Sequence, residues 1–189
     1  VPARSADGGL ATACEEALTA GGARVTVLAA AELERETLAG RLREAVPAEG
    51  GAAIDEDGSD EAGVAGVVSL LALDETGCAG TLLLVQALGD AGIEARLWVL
   101  TRGAVTAGEH AGPEPVSVAQ AMAWGLGRVV ALEHPQRWGG LVDVPEALTG
   151  RAAGWLREIL AGATGEDQLA VLPGGVLARR LVRAPAVSA

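Results

Sequence analysis

Residues 117–144 constrain the fold more than any other stretch, because they predict a helix followed directly by a buried strand. Apolar residues recur every three to four positions over 117–133, which predicts an amphipathic helix with one core-facing stripe. That stripe consists of Val118, Met122, Leu126 and Val129. Pro135 ends the helix and disfavours helical geometry at His134, and residues 140–144 then predict a short buried strand. A helix that feeds a buried strand is typical of an α/β domain.

Two glycines lie in the middle of this predicted helix. Gly125 and Gly127 should each cost about 1 kcal/mol relative to alanine in a helix interior. We therefore expect another backbone or a bulky ring to pack closely against them. Trp124 and Trp138 are the candidates for that ring.

The rest of the chain alternates between segments with the helical period of 3.6 residues and segments with the strand pattern. Further helices are predicted over 10–18, 32–44, 81–91 and 149–160, the last capped by Thr149, and further strands over 23–28, 64–73, 95–100, 168–172 and 176–182. Gly-, Pro- and acid-rich loops are expected over 46–63 and 101–115. The alternation predicts one parallel sheet with helices on both faces, in which the strands near Arg24, Val67, Leu97 and Leu141 lie parallel.

The run W-G-L-G-R-V-V-A-L-E-H-P-Q-R-W-G-G-L-V-D-V-P at 124–145 resembles the structural subdomain of ketoreductase domains in bacterial modular type I polyketide synthases. Matching pieces at 68–75, 84–88, 101–105, 165–168 and 175–181 follow in order and extend the resemblance over nearly the whole chain. It implies a truncated Rossmann-like, short-chain-reductase-like domain over residues 1–189. Such a domain binds no cofactor and braces a catalytic half, which carries the NADPH site and the reductive chemistry.

The N-terminus departs from that pattern. A Rossmann-like half opens with a complete buried strand, whereas only Val1 and Pro2 precede the predicted loop at 3–9. We therefore expect the chain to start inside its first strand.

Composition excludes the chemistry of short-chain reductases from this chain. Those enzymes use a tyrosine as the proton donor to the substrate carbonyl, with a lysine that lowers its pKa. The chain contains no tyrosine, and all 14 of its basic residues are arginine. We expect no catalytic residue here.

Dinucleotide-binding loops are represented only by incomplete patterns. Residues 149–156 resemble the Thr-Gly-x-x-x-Gly-x-Gly loop of such reductases, but Leu156 occupies the position of the last glycine and Trp155 adds bulk beside it. Gly125 and Gly127 form half of a G-x-G-x-x-G pattern inside a predicted helix. For residues 149–156 the favoured interpretation is a plain helix N-terminus, and for Gly125 and Gly127 it is helix packing. No cofactor-binding residue is expected.

Other candidate sites also favour structural interpretations. The acidic run 55–61 has its glycine fourth rather than sixth, so a solvated loop is favoured over a calcium site. Cys14 and Cys78 are expected to be free buried thiols, and with His110 and His134 they lack the spacing of a zinc site. No metal ligands are expected.

The serines and arginines add no catalytic site. Ser5, Ser69 and Ser117 lack a nearby histidine and aspartate. Arg128 and Arg137 are either anion ligands or, as favoured, salt-bridge partners of Asp143 or Glu133. The residues with expected structural roles are Trp124, Gly125, Gly127, Arg128, Trp138 and Asp143.

Charge and hydropathy bound the possible partners. A net charge of −11 disfavours nucleic acid, and the longest apolar stretch, at 67–73, is far short of the roughly 20 residues of a membrane helix. No signal peptide is apparent, so we expect a cytoplasmic protein. A mean hydropathy of +0.32 predicts an exposed apolar partner surface.

The family resemblance makes that partner the catalytic ketoreductase half, with the neighbouring synthase domains beside it. The alternatives are a nucleotide-binding enzyme domain with an unrecognised loop and a stand-alone protein-interaction module.

Overall fold

In the computed structural model, which describes residues 8–29, 34–46, 64–74, 77–107 and 117–183, helices and strands alternate along most of the chain. The elements are α1 (Gly8–Thr19), α2 (Arg35–Ala45), β1 (Gly66–Ser69), α3 (Gly77–Ala91), β2 (Arg96–Thr101), α4 (Val118–Glu133), β3 (Trp138–Asp143), α5 (Arg151–Leu160), β4 (Gln168–Leu172) and β5 (Gly175–Ala178). Short 3₁₀ turns at Leu71–Leu73 and Pro135–Arg137 follow β1 and precede β3.

The strands form one sheet in the order β1-β2-β3-β4-β5. The pairs from β1 to β4 are parallel, whereas β5 runs antiparallel to β4 after a turn at Pro173 and Gly174. The predicted α/β fold with a mainly parallel sheet is therefore confirmed.

Two apolar cores lie on opposite faces of this sheet. On the face that we call the front, α2, α3 and α4 pack on inward side chains such as Leu97, Val99 and Leu141. On the back, α1 and α5 pack on Trp98, Leu100 and their neighbours. Because successive strand residues point to opposite faces, one strand such as β2 supplies both cores.

The Gly-Gly pair in β3 fits the strand against its neighbours. A Cβ at Gly139 would lie 2.6 Å from the Trp98 ring, and one at Gly140 would lie 2.6 Å from the Asp167 carbonyl oxygen. Gly140 also has φ +150°, which disfavours any other residue. The pair accommodates a register shift between β2 and β3, so the end of β3 is placed accurately beside β2.

The strand predicted at 23–28 is wrong. Residues 23–29 are not in the sheet, and β1 is the edge strand of the described residues. The alternating pattern of Val25, Val27 and their neighbours gives the segment β propensity. A strand also needs a neighbouring strand to hydrogen-bond with, and a local pattern does not supply one.

The strand predicted at 64–73 is shorter than expected. It ends at Ser69, whose Oγ accepts a hydrogen bond from the Leu71 N–H over 3.3 Å, and a 3₁₀ turn follows. The apolar run continues because Leu71 and Ala72 are buried in the front core. A Cβ at Gly77 would lie 2.6 Å from the Ala72 carbonyl oxygen, which explains why α3 begins on a glycine.

Smaller differences concern the ends of elements. Gly150, at φ +52°, is the N-cap of α5, and no side chain caps this helix, so the predicted Thr149 cap is wrong. Strand β5 ends at Ala178, not at residue 182. Most of the loop predicted at 46–63 lies outside the described residues, as do 108–116, His110, Ser5 and the acidic run. Across the described ranges, no helix is long and apolar enough to cross a membrane.

Candidate functional site

The inner side of α4 packs on the front of the sheet through small residues. Ala123 is fully buried and Trp124 and Val130 nearly so. A Cβ at Gly127 would lie 2.8 Å from Cδ1 of Leu141, a side chain with no exposed surface. The close packing predicted for Gly127 is confirmed, although its neighbour is a leucine rather than a tryptophan.

Gly125 does not share that role. It is exposed, and a Cβ added there would meet nothing within 4 Å. The close packing predicted for Gly125 is therefore wrong within the described chain. Trp138 is buried in the front core at the start of β3, so it does not cover either glycine.

The core-facing stripe predicted on α4 is also wrong. Val118, Met122 and Val129 are 76%, 58% and 48% exposed, and only Leu126 is partly buried in the core. The helix has apolar residues on two sides, and the sheet approaches the side that carries alanine and glycine because a close approach needs small side chains. Val118, Met122 and Val129 are left facing away from the sheet.

We call this exposed set the outer stripe. It consists of Val118, Met122, Gly125, Val129 and Leu132. Its members are separated alternately by four and three residues, which is the spacing of a seam between two paired helices. Leu132, 83% exposed, was not singled out in the sequence, although continuing the same spacing by three residues would have identified it.

A buried polar cluster fixes the carboxyl ends of β2 and β3. The Asp143 carboxylate accepts hydrogen bonds from the Thr101 hydroxyl (2.6 Å) and from the N–H groups of Ala104 (2.9 Å) and Gly103 (3.2 Å). Trp124 Nε1 donates to the Thr101 hydroxyl over 2.9 Å. We call these groups the Asp143 cluster.

The cluster holds the loop after β2 and the inner side of α4 in one position. Thr101 has no exposed surface and Asp143 is only 8% exposed, so each of these bonds replaces water. The Ser117 N–H donates to the Gly103 carbonyl over 2.8 Å, which also ties the start of α4 to that loop. Thr101 was missed in the sequence because its partners lie 23 and 42 residues away.

The salt bridges predicted for Arg128 and Arg137 are wrong. Arg128 Nε donates to Gln168 Oε1 over 3.3 Å, and an Arg137 guanidinium nitrogen lies 3.0 Å from His134 Nδ1. Neither contacts Asp143 or Glu133 in the described part of the chain. Backbone and hydroxyl donors, rather than an arginine, satisfy the Asp143 carboxylate.

A cavity of about 440 Å³ lies beside Trp124, and we call it the front cavity. Its lining comprises Trp124, the loop at 104–107 and strands β4 and β5. Leu169 and Val171 of β4 point into the back core, so the alternate side chains of the two strands face the front. Those lining the cavity are Gln168, Ala170, Leu177 and Arg179.

Comparison with known proteins identifies the family. Residues 71–181 match the family described as polyketide synthase extender module SpnB, Rossmann fold domain. The chain is 49% identical over 162 residues to the pikromycin polyketide synthase component PikAII of Streptomyces venezuelae, which is 80% of this chain and 4% of that protein. It is 46% identical over 161 residues to the erythronolide synthase EryA3 of Saccharopolyspora erythraea, 84% of this chain and 4% of the relative.

Solved ketoreductase structures agree. A C2-type ketoreductase from a modular polyketide synthase has a TM-score of 0.81 at 45% identity, over 100% of this chain and 41% of that chain. The first ketoreductase of the tylosin synthase has a TM-score of 0.79 at 38% identity, and the match covers 98% of this chain and 38% of that chain. This chain belongs to the ketoreductase-related Rossmann domains of modular polyketide synthases. It spans about two fifths of those ketoreductase chains and a small fraction of the curated synthases.

Bulky side chains at the incomplete glycine-rich pattern of residues 149–156 pack within the protein. Leu156, at the position of the last glycine of the pattern, is 1% exposed and packs in the back core. The Arg151 guanidinium lies 5.8 Å from the Trp155 ring centroid, so the first turn of α5 carries bulky side chains that pack on each other. A pyrophosphate needs close backbone approach at such a turn.

The cysteines are free thiols in different environments. Burial raises the pKa of the Cys14 thiol to about 11, so it is protonated and unreactive at neutral pH. Cys78 is free and half-buried, not fully buried as predicted. No group of three potential metal ligands occurs in the described residues. The distinctive surface of the domain is therefore the outer stripe with the adjoining front cavity.

Proposed function

We propose that this chain is the noncatalytic scaffold half of a polyketide synthase ketoreductase. It braces a catalytic half that reduces a β-ketoacyl thioester, carried on acyl carrier protein, with NADPH. The chain supplies neither the proton donor nor the cofactor loop. Its contribution is a rigid surface on which the catalytic half packs.

The outer stripe is the observation that carries this proposal. Four large apolar side chains point away from their own sheet, whereas isolated domains seldom expose contiguous apolar area beyond a few hundred Å². The alternating spacing fits a facing helix better than a flat sheet. Gly125, in the middle of the stripe, lets the backbone of such a helix approach closely, which gives a reason for its cost in helix propensity.

The Asp143 cluster supports a structural role. A carboxylate that already accepts three hydrogen bonds and is shielded from solvent is poorly placed to contact a substrate. Its bonds instead fix the loop at 102–105 and the orientation of α4. A docking helix with a fixed orientation loses little conformational freedom on association, which favours tight packing.

Two expectations about partners follow. NADPH binds in the catalytic half, because the tyrosine and lysine of the reductase chemistry and a complete glycine-rich loop must both come from there. The relatives are large multidomain synthases, so neighbouring synthase domains are further contacts of the assembled enzyme.

Activity and melting measurements test the scaffold role. The purified chain alone should not oxidise NADPH with a β-ketoacyl thioester, and NADPH alone should not raise its melting temperature. Added catalytic half should raise it, because a partner that binds the folded state stabilises it by mass action. Reductase activity above a heat-killed control would overturn the proposal.

A pair of matched variants tests the surface itself. Met122→Glu introduces a charge into the outer stripe, whereas Leu82→Glu makes the same change on α3, where the leucine is 42% exposed. With a co-expressed, tagged catalytic half, recovery of the Met122→Glu chain should fall roughly tenfold, because an interface cannot desolvate an unpaired carboxylate cheaply. The Leu82→Glu chain should be recovered like the wild type. Equal recovery of the two variants would remove the outer stripe from the interface.

A further inference from the structure

The front cavity lies where the described residues leave part of the front of the sheet uncovered. Helix α5 packs on the back of β4 and β5, and among the described residues no helix covers their front. Leu177 is 43% exposed there, beside the nearly buried Trp124. The cavity volume of about 440 Å³ is sufficient for one large side chain of a partner, and Trp124 lines it.

Arg179 lines this cavity, and Arg128 contacts Gln168, another of its lining residues. The Arg128 guanidinium bonds to the Gln168 side-chain oxygen, and the Arg179 N–H donates to the Gln168 carbonyl over 2.8 Å. Neither guanidinium has a carboxylate partner in the described part of the chain.

Two other arginines of the chain do have carboxylate partners, so the lack of such partners is specific to Arg128 and Arg179 among these four. Arg180, one residue further on, bonds to the Glu166 carboxylate through Nε over 2.9 Å. Arg35 pairs with Asp90 over 2.5 Å and lowers the pKa of that carboxyl group. In a chain of net charge −11, two cations without carboxylates at one rim favour an acidic group from outside.

The rim is continuous with the outer stripe. Arg128 follows Trp124 by one helical turn, so both lie on the flank of α4 that faces β4. On the surface of α4, Arg128 therefore lies between the cavity and the stripe. A partner that covers the stripe reaches the cavity without a gap.

We propose that the front cavity receives a large apolar side chain of the catalytic half, from a segment that also places an acidic side chain against Arg128 and Arg179. This inference rests on the proposed scaffold function and specifies the chemistry of its partner. The apolar group provides the buried anchor, and the acid fixes the orientation of the docked segment.

The test uses the complex of this chain with the catalytic half and measures its dissociation constant at low and high salt. The charge variant is Arg128→Glu with Arg179→Glu, and its control is Arg24→Glu, an exposed arginine outside the sheet. The cavity variant is Leu177→Trp, which adds a larger ring at the cavity wall. Its control is Leu82→Trp on α3, where the leucine is exposed to the same extent.

We expect the charge variant to weaken the complex roughly tenfold at low salt and to reduce the salt dependence of binding, because salt screens exposed ion pairs. Leu177→Trp should weaken the complex roughly tenfold at both salt concentrations, because the added ring competes sterically with the side chain of the partner. Both controls should stay within about twofold of the wild type. Circular dichroism of each free chain checks that the fold is retained.

The outcomes separate this inference from the scaffold function. If both variants bind like their controls while Met122→Glu still disrupts the complex, the cavity is not part of the interface and the inference fails alone. If the charge variant weakens binding equally at both salt concentrations, the acidic partner is refuted. If Met122→Glu also binds normally, the scaffold surface itself is wrong.

Discussion

The inner and outer sides of α4 show how one helix can be apolar on two sides for different reasons. The inner side carries Ala123 and Gly127, which let the sheet approach, and Trp124, which bonds to Thr101. The outer side carries the large residues Met122 and Leu132, which nothing in the described chain covers. On this helix Ala123 and Gly127 serve the internal contact, whereas Met122 and Leu132 remain available for an external one.

The largest expected effect is at Asp143 of β3, whose cluster holds the inner side of α4 in place. Replacement by alanine should lower the free energy of unfolding by about 2–3 kcal/mol, because the buried Thr101 hydroxyl and Ala104 N–H lose a charged acceptor. Asp143→Asn, which keeps one acceptor oxygen, should cost less. Urea denaturation measures both. Equal stability of the alanine variant and the wild type would mean that the cluster does not hold α4.

Gly127→Leu should have the next largest effect. The added side chain would overlap Leu141, which cannot move into solvent, so we expect a loss of about 1–3 kcal/mol despite the better helix propensity of leucine. A melting temperature within error of the wild type would refute the close contact between α4 and the sheet.

Gly125→Ala should have the smallest effect and the opposite sign. The site is open, so the free chain should gain up to about 1 kcal/mol from helix propensity alone. Thermal melts of the Gly125→Ala and Gly127→Leu chains side by side sharpen the contrast between the two sides. A loss of stability at Gly125 would show that the free chain covers this position.

Local chemistry accounts for what the sequence predicted correctly. The helix at 117–133 and the following strand were predictable because apolar periodicity and Pro135 are both local signals. Lack of tyrosine and lysine restricted the chemistry by composition alone. The resemblance across 124–145 identified the family that the comparisons then established.

Nonlocal geometry accounts for the features that the sequence analysis missed. Periodicity located apolar residues on α4 but did not determine which side the sheet would approach, so the stripe was assigned to the core. Residues 23–28 have the composition of a strand without a neighbour in the sheet. The partners of Asp143 lie about 40 residues away, and its bonds to backbone N–H groups have no sequence signature.

The antiparallel direction of β5 also affects how a partner can be tethered. Because Ala178 pairs with Leu169, the chain leaves β5 at the amino edge of the parallel strands. Helix α4 ends at Glu133, shortly before β3 begins at that same edge, so Val129 and Leu132 lie toward it. The chain that leaves β5 at Arg179 therefore starts beside Arg128 of α4, because both residues bond to Gln168. A short covalent connection of this kind gives an effective concentration in the millimolar range, at which even a weak interface stays closed.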